Sequence, residues 1–170
     1  AFLFDEQKRK NTNPSVPQTL NGNKFEVRDH QKMALSKWQD HDFKGILDLA
    51  TGTGKTITSI YGLTRITETI DGVSAIISVP YVALAEQWVE ELKIFNIFAL
   101  KCYGNRVSWE PKLKEYLLRN QVKQIEFIAI VVVNVTFKSS HFQEAISNLN
   151  PAKTFFIGDE CHHHMSKSFN

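Results

Sequence analysis

Apolar residues in this 170-residue chain follow two rhythms that take turns. Short, nearly continuous apolar runs stand at 74–80 (SAIISVP), 97–103 (IFALKCY), 126–134 (EFIAIVVVN) and 154–160 (TFFIGDE). Runs of this kind predict strands covered on both faces, and FKGILDLA at 43–50 predicts a fifth. Between them, apolar residues recur at helical spacing. The pattern predicts helices over 28–41, with Met33, Ala34, Leu35 and Trp38, and over about 54–69. Three more follow: 81–95, with Val82, Leu84, Ala85, Trp88, Val89 and Leu92 on the inner side, then 109–120 and 136–150. Five strands alternating with helices imply parallel βαβ units. The fold class is α/β, a mostly parallel sheet with helices on both faces.

Residues 1–24 break the rhythm. KRKNTNPSVPQTLNGN is polar, carries two prolines and has no apolar period, so it reads as a linker or N-terminal arm. An appendage packed through Phe2, Leu3 and Phe4 is the alternative. The folded domain is expected over 25–170.

Composition changes this picture little. Twenty Lys and Arg against 18 Asp and Glu leave a net charge of +2, so any basic surface must be local. Two cysteines, Cys102 and Cys161, are too few for a disulfide framework and read as free thiols of a reducing compartment. No apolar run reaches the roughly 20 residues needed to span a bilayer, and AFLFDEQKRK has no signal-peptide pattern. A cytoplasmic protein without a membrane partner is expected. The chain starts without Met, which suggests a piece of something longer.

The first candidate chemistry lies between the 43–50 run and the next helix, in Leu49-Ala50-Thr51-Gly52-Thr53-Gly54-Lys55-Thr56. Two glycines let successive backbone N–H groups turn inward as a cradle for anionic oxygens, and the following helix adds the positive end of its dipole. Lys55 carries a point charge to β- and γ-phosphates, and Thr56 offers a hydroxyl to Mg²⁺. Thr51, Gly52, Thr53, Gly54, Lys55 and Thr56 are therefore the candidate nucleotide-binding residues. The strict pattern wants Gly where this chain has Leu49.

The second lies in FFIGDECH, where Asp159 and Glu160 end an apolar strand. In open α/β sheets ligands sit at that end. Asp159 can hold Mg²⁺ opposite Thr56, and Glu160 can polarise the attacking water. Two acids at a solvated strand end are common, and it is the phosphate loop upstream that favours catalysis. Cys161, His162, His163 and His164 do not make a zinc site, because consecutive side chains point in different directions and cannot easily close one tetrahedral shell.

TGTGKT followed by DECH resembles the superfamily 2 helicases of the DEAD/DEAH-box type. LATGTGKT is most similar to the branch with restriction-enzyme motor subunits and excision-repair helicases. The resemblance covers roughly 25–165 and implies the first RecA-like P-loop NTPase domain of an ATP-dependent DNA helicase or translocase, with RNA not excluded. Arg28-Asp29-His30-Gln31 resembles the R-x-x-Q adenine motif, which implies that Arg28 and Gln31 serve the nucleotide, the Gln31 carboxamide matching the adenine edge; Phe25 is expected nearby. Val79-Pro80 with Leu84, Gln87 and Trp88 resembles motif Ia, and Val133-Asn134-Val135-Thr136-Phe137 a further nucleic-acid-facing motif with Asn134-Val135 in place of the commoner Thr-Tyr. The family then implies nucleic-acid contacts at Pro80, Gln87 and Thr136. Helix packing is the simpler account of Trp88 and Phe137.

By the same resemblance the chain lacks a second RecA-like domain with its arginine finger, so on its own it is expected to turn over ATP negligibly. It also ends before a Ser-Ala-Thr strand expected between the strands at about 44–49 and 154–159. That slot is then expected to be filled by another chain, by residues 1–24, or by solvent. A nucleotide-binding switch without turnover, and a P-loop ATPase without a nucleic-acid partner, are the competing readings. A role in restriction or defence is suggested by the branch alone.

Overall fold

The computed structural model of the chain describes residues 14–44 and 54–159. Residues 45–50 of the strand expected at 43–50, most of the phosphate loop, and Glu160 to His164 lie outside these residues, while Phe43 is in a turn with φ 59°. The same is true of Phe2, Leu3, Phe4 and Cys161. The strand-order expectation for the slot beside 154–159 involves the 44–49 segment and falls outside them too.

Among the described residues the first element is a two-stranded antiparallel hairpin, β1 (Thr19–Leu20) and β2 (Asn23–Lys24). Asn21 (φ 51°) and Gly22 (φ 80°) form its turn. Both central residues sit in the left-handed region, which Asn-Gly adopts at low cost and which matches the twist of the strands. The hairpin was not among the elements read from the sequence. It leads to Phe25, whose ring packs at 6.0 Å from Tyr61 and 5.7 Å from Phe95. Ser15 N–H also donates to the Phe95 carbonyl. Residues 14–25 thus lie against the domain.

Helices α1 (Asp29–Asp40) and α2 (Lys55–Thr67) come next. Then come β3 (Ser74–Val79), α3 (Val82–Ile94), β4 (Leu100–Cys102), α4 (Arg106–Gln121) and β5 (Ile128–Val133). Short helices α5 (Asn134–Phe137) and α6 (Ser140–Ile146) precede a 3₁₀ turn and β6 (Thr154–Gly158). Four parallel strands form one sheet in the order β4-β5-β3-β6. This is the RecA-like α/β arrangement expected.

Both faces of the sheet are covered, which is why β3 and β5 read as unbroken apolar runs. Ile77, Val79, Ala129 and Val131 point toward α3 and pack with Ala85, Trp88, Val89, Leu92 and Phe95. Ile76, Ile128, Ile130 and Val132 point the other way, toward Trp109, Leu113 and Phe142 of α4 and α6. Each set alternates along its strand, as the pleat requires. Leu63, Ile66, Val73 and Ala75 form a third cluster with Trp38, Phe43 and Phe155.

Three expectations need correction. The helix expected over 136–150 is two helices, because Ser139 ends one and starts the next: its hydroxyl donates to the Thr136 carbonyl at 2.6 Å and accepts from Phe142 N–H. The helix expected from 109 starts three residues earlier, where the Asn105 side chain caps Val107 N–H. Pro111 stands within it. Finally, Val82, expected on the inner side of its helix, faces outward at 47% exposure.

Cys102 gives a chemical check on the packing. It is fully enclosed, and burial pushes its thiol pKa up to about 12. Only the thiolate alkylates readily. Iodoacetamide at pH 8 should therefore modify Cys102 in the folded chain roughly a thousandfold more slowly than in the urea-unfolded chain. Peptide mass mapping follows Cys102 separately from Cys161. Equal rates in the two states would contradict the enclosure.

Candidate nucleotide and metal site

The site is built where α1 meets the start of α2. Gly54 stands at the N-cap of α2 with φ 80°, a left-handed conformation that a side chain strains. A methyl on Gly54 would also lie 3.1 Å from Gln31 Nε2. The adenine-motif glutamine and the phosphate-loop glycine are thus in contact. Packing sets this approach: Leu35 Cδ2 occupies the space a Cβ on Gly62 would need, so α1 sits close against α2.

Gln31 is 7% exposed and its orientation is determined. Arg28 N–H donates to its Oε1 at 2.9 Å. A backbone N–H can only donate, so the atom facing it is the oxygen, and the amide nitrogen faces Gly54. Arg28 supplies the backbone anchor at the N-cap while its own side chain is exposed.

Lys55 is the first residue of α2 and is exposed; Thr56 is half-buried. Thr58 Oγ1 and Ser59 Oγ donate back to the carbonyls of Gly54 and Lys55, securing the first turn. Thr51, Gly52 and Thr53 lie outside the described residues. Phe25, expected near the base, packs against Tyr61 and Phe95.

Asp159 follows β6 directly, at the carboxyl end of the sheet. Its N–H donates to the Ser78 carbonyl at 3.0 Å, continuing the β3–β6 ladder. Its Oδ2 accepts from Trp88 Nε1–H at 2.7 Å. Ile57, next to Thr56, and Ile157, two residues before Asp159, both pack against the main core cluster. Glu91 lies beside this acid. Burial raises its carboxyl pKa, the Asp159 charge adds to the rise, and a hydrogen bond from Gln87 opposes it.

Among the described residues no group of three or more His, Cys, Asp or Glu side chains could by itself hold a metal. Mg²⁺ does not need one: it keeps several waters and takes one or two protein oxygens beside substrate phosphates. The Thr56 hydroxyl and the Asp159 carboxylate are donors of the type this requires. Thr56 and Asp159 are the residues that would hold it.

The expected nucleic-acid residues lie at the same end of the sheet. Val79 is in register with Val133, so the Pro80 and Asn134 turns stand side by side. Ser78 Oγ donates to Asn134 Oδ1 at 2.7 Å and ties them together. Pro80 and Thr136 are half-buried, and Gln87 is exposed with its amide 3.5 Å from Glu91 Oε1. Tyr81 and Val135 are exposed at 55% and 79%.

Two bonds were missed in the sequence, Trp88 to Asp159 and Ser78 to Asn134. A signal existed for the first: a tryptophan on the inner side of a helix still needs an acceptor for its N–H. A cavity of about 760 Å³ lined by Asp71, Ser74, Lys114 and Lys153 lies at the opposite, amino end of the strands, away from this chemistry.

Among the described residues no helix is long and apolar enough to cross a membrane. No curated protein and no solved structure matches the chain. The family described as Type III restriction enzyme, res subunit, matches residues 24–170, from the end of the hairpin through both candidate motifs. Its members are helicase-like motor domains of superfamily 2, with the ATP and Mg²⁺ use which that implies. This chain belongs to the Type III restriction enzyme res subunit family.

Proposed function

We propose that the chain is the ATP-binding domain of an ATP-dependent DNA translocase or helicase, which in its parent protein hydrolyses ATP to move on nucleic acid, as part of a restriction or defence system. The observation that carries this reading is Gln31 Nε2 set against Gly54. A base-reading amide and a phosphate-cradling glycine in contact describe one ligand with a base at one end and phosphates at the other.

The residues divide the work. Gln31 presents its carboxamide to the adenine edge. Lys55 balances the β- and γ-phosphate charge, and Thr56 and Asp159 hold Mg²⁺, which neutralises charge on the phosphate oxygens. Glu160 orients the attacking water and takes its proton. The Pro80 and Asn134 turns, with Gln87 and Thr136, face the nucleic-acid backbone.

The reading is tested by titrating fluorescent ATP and GTP analogues into the chain and into Gln31→Ala. The wild type is expected to prefer ATP, and the substitution to erase roughly tenfold of that preference, the worth of one or two hydrogen bonds. Unchanged discrimination would remove Gln31 from the site.

A further inference from the structure

We propose that Trp88 is a positioning residue for Asp159, its indole N–H holding Oδ2 so that the carboxylate keeps one orientation toward the Mg²⁺ accompanying ATP. The inference rests on the ATP reading above and adds a residue to which that reading gives no role.

A carboxylate at the open end of a strand can ordinarily rotate about two side-chain bonds. Asp159 cannot do so freely, because it is anchored twice. Its backbone N–H is bonded to Ser78, and its Oδ2 to Trp88 at 2.7 Å. Trp88 is itself immobile: it is 2% exposed and packed among Val79, Ala85, Leu92 and Phe95. Indole N–H is a donor only, so the atom it holds must be an acceptor, here Oδ2 of Asp159. Both anchors belong to one unit, β3 with the helix that follows it. Partners that hold a metal ligand in this way fix its direction before the metal arrives, and removing them typically weakens metal affinity 10- to 100-fold.

The test compares the wild type with Trp88→Phe, which retains an aromatic ring and deletes the donor. A fluorescent ATP analogue is titrated in Mg²⁺ and in EDTA. The gain in affinity from Mg²⁺ is expected to fall about tenfold in the variant, while the EDTA affinity stays within about twofold. Equal losses in both buffers would reduce Trp88 to packing, and no loss in either would make the bond irrelevant; each result overturns the proposal. A second measurement leaves Trp88 in place. In ¹⁵N-labelled protein the Trp88 indole resonance should move when Asp159→Ala removes the acceptor, and in the wild type it should respond to Mg²⁺ added with ATP. An indole signal indifferent to both changes overturns the assignment even if Trp88→Phe does not fold. If the wild type binds no ATP in either buffer, the ATP reading itself falls and takes this one with it. If Lys55→Ala abolishes binding while Trp88→Phe keeps its full Mg²⁺ dependence, only the role of Trp88 is lost.

Discussion

Lys55→Ala is expected to lower the affinity for Mg²⁺-ATP by about a hundredfold or more while leaving the chain folded. Removing one partner of a hydrogen-bonded charge pair typically costs about 2–5 kcal/mol, and 1.4 kcal/mol is a factor of ten. The side chain is exposed at the start of α2. The bond that Ser59 makes to this residue uses the Lys55 carbonyl, which Ala retains. Thermal stability should therefore stay within the small range usual for surface substitutions, about ±0.5 kcal/mol. Calorimetric titration together with a melting curve separates binding from folding. Equal ATP affinity in the folded variant would mean that the α2 terminus is not a phosphate site.

Phe95→Ala should instead act on stability, costing about 3–5 kcal/mol. Phe95 is fully buried at the end of α3. Its ring meets Phe25 edge-on at 5.7 Å, and its carbonyl accepts from Ser15 N–H. Truncation opens a cavity in the main cluster and releases the ring that seats the hairpin. For a chain of this size the loss corresponds to a melting point lower by about 10 °C. Urea unfolding of both proteins measures it, and a loss below about 1 kcal/mol would contradict the packing described. Because this effect lies away from Lys55, the two substitutions should add independently.

The parts of the fold that were legible share one physical cause. β3 and β5 are covered strands whose apolar runs have no helical alternative at that length, β6 repeats the run although Phe156 is 51% exposed, and α3 buries Ala85, Trp88, Val89 and Leu92 at a clear period. Gln31 and Gly54 were legible as separate motifs, and the contact between them is consistent with the reading that joined them. What was not legible depended on single polar atoms. The Ser139 hydroxyl divides one apolar helical pattern into two helices, and Asn105 starts α4 ahead of a proline that suggests a later beginning. Asn-Gly at 21–22 carried a hairpin signal inside a stretch too polar to look folded. The bond from Trp88 to Asp159 joins residues 71 positions apart, a distance that no local pattern encodes.

The register of the sheet also orders its assembly in time. β3 is made first of the four strands, yet its two partners, β5 and β6, are made last. Ser74 pairs with Ile128 on one side and with Thr154 on the other. Closing the second loop, of roughly 80 residues, costs about 4 kcal/mol of chain entropy before any pairing repays it. Until β6 arrives, β3 waits with one edge open, the condition in which a growing chain is most prone to join a neighbour instead. Slow, topology-limited folding follows from such distant parallel pairs. The Asp159 tip takes its place only when that last docking is complete.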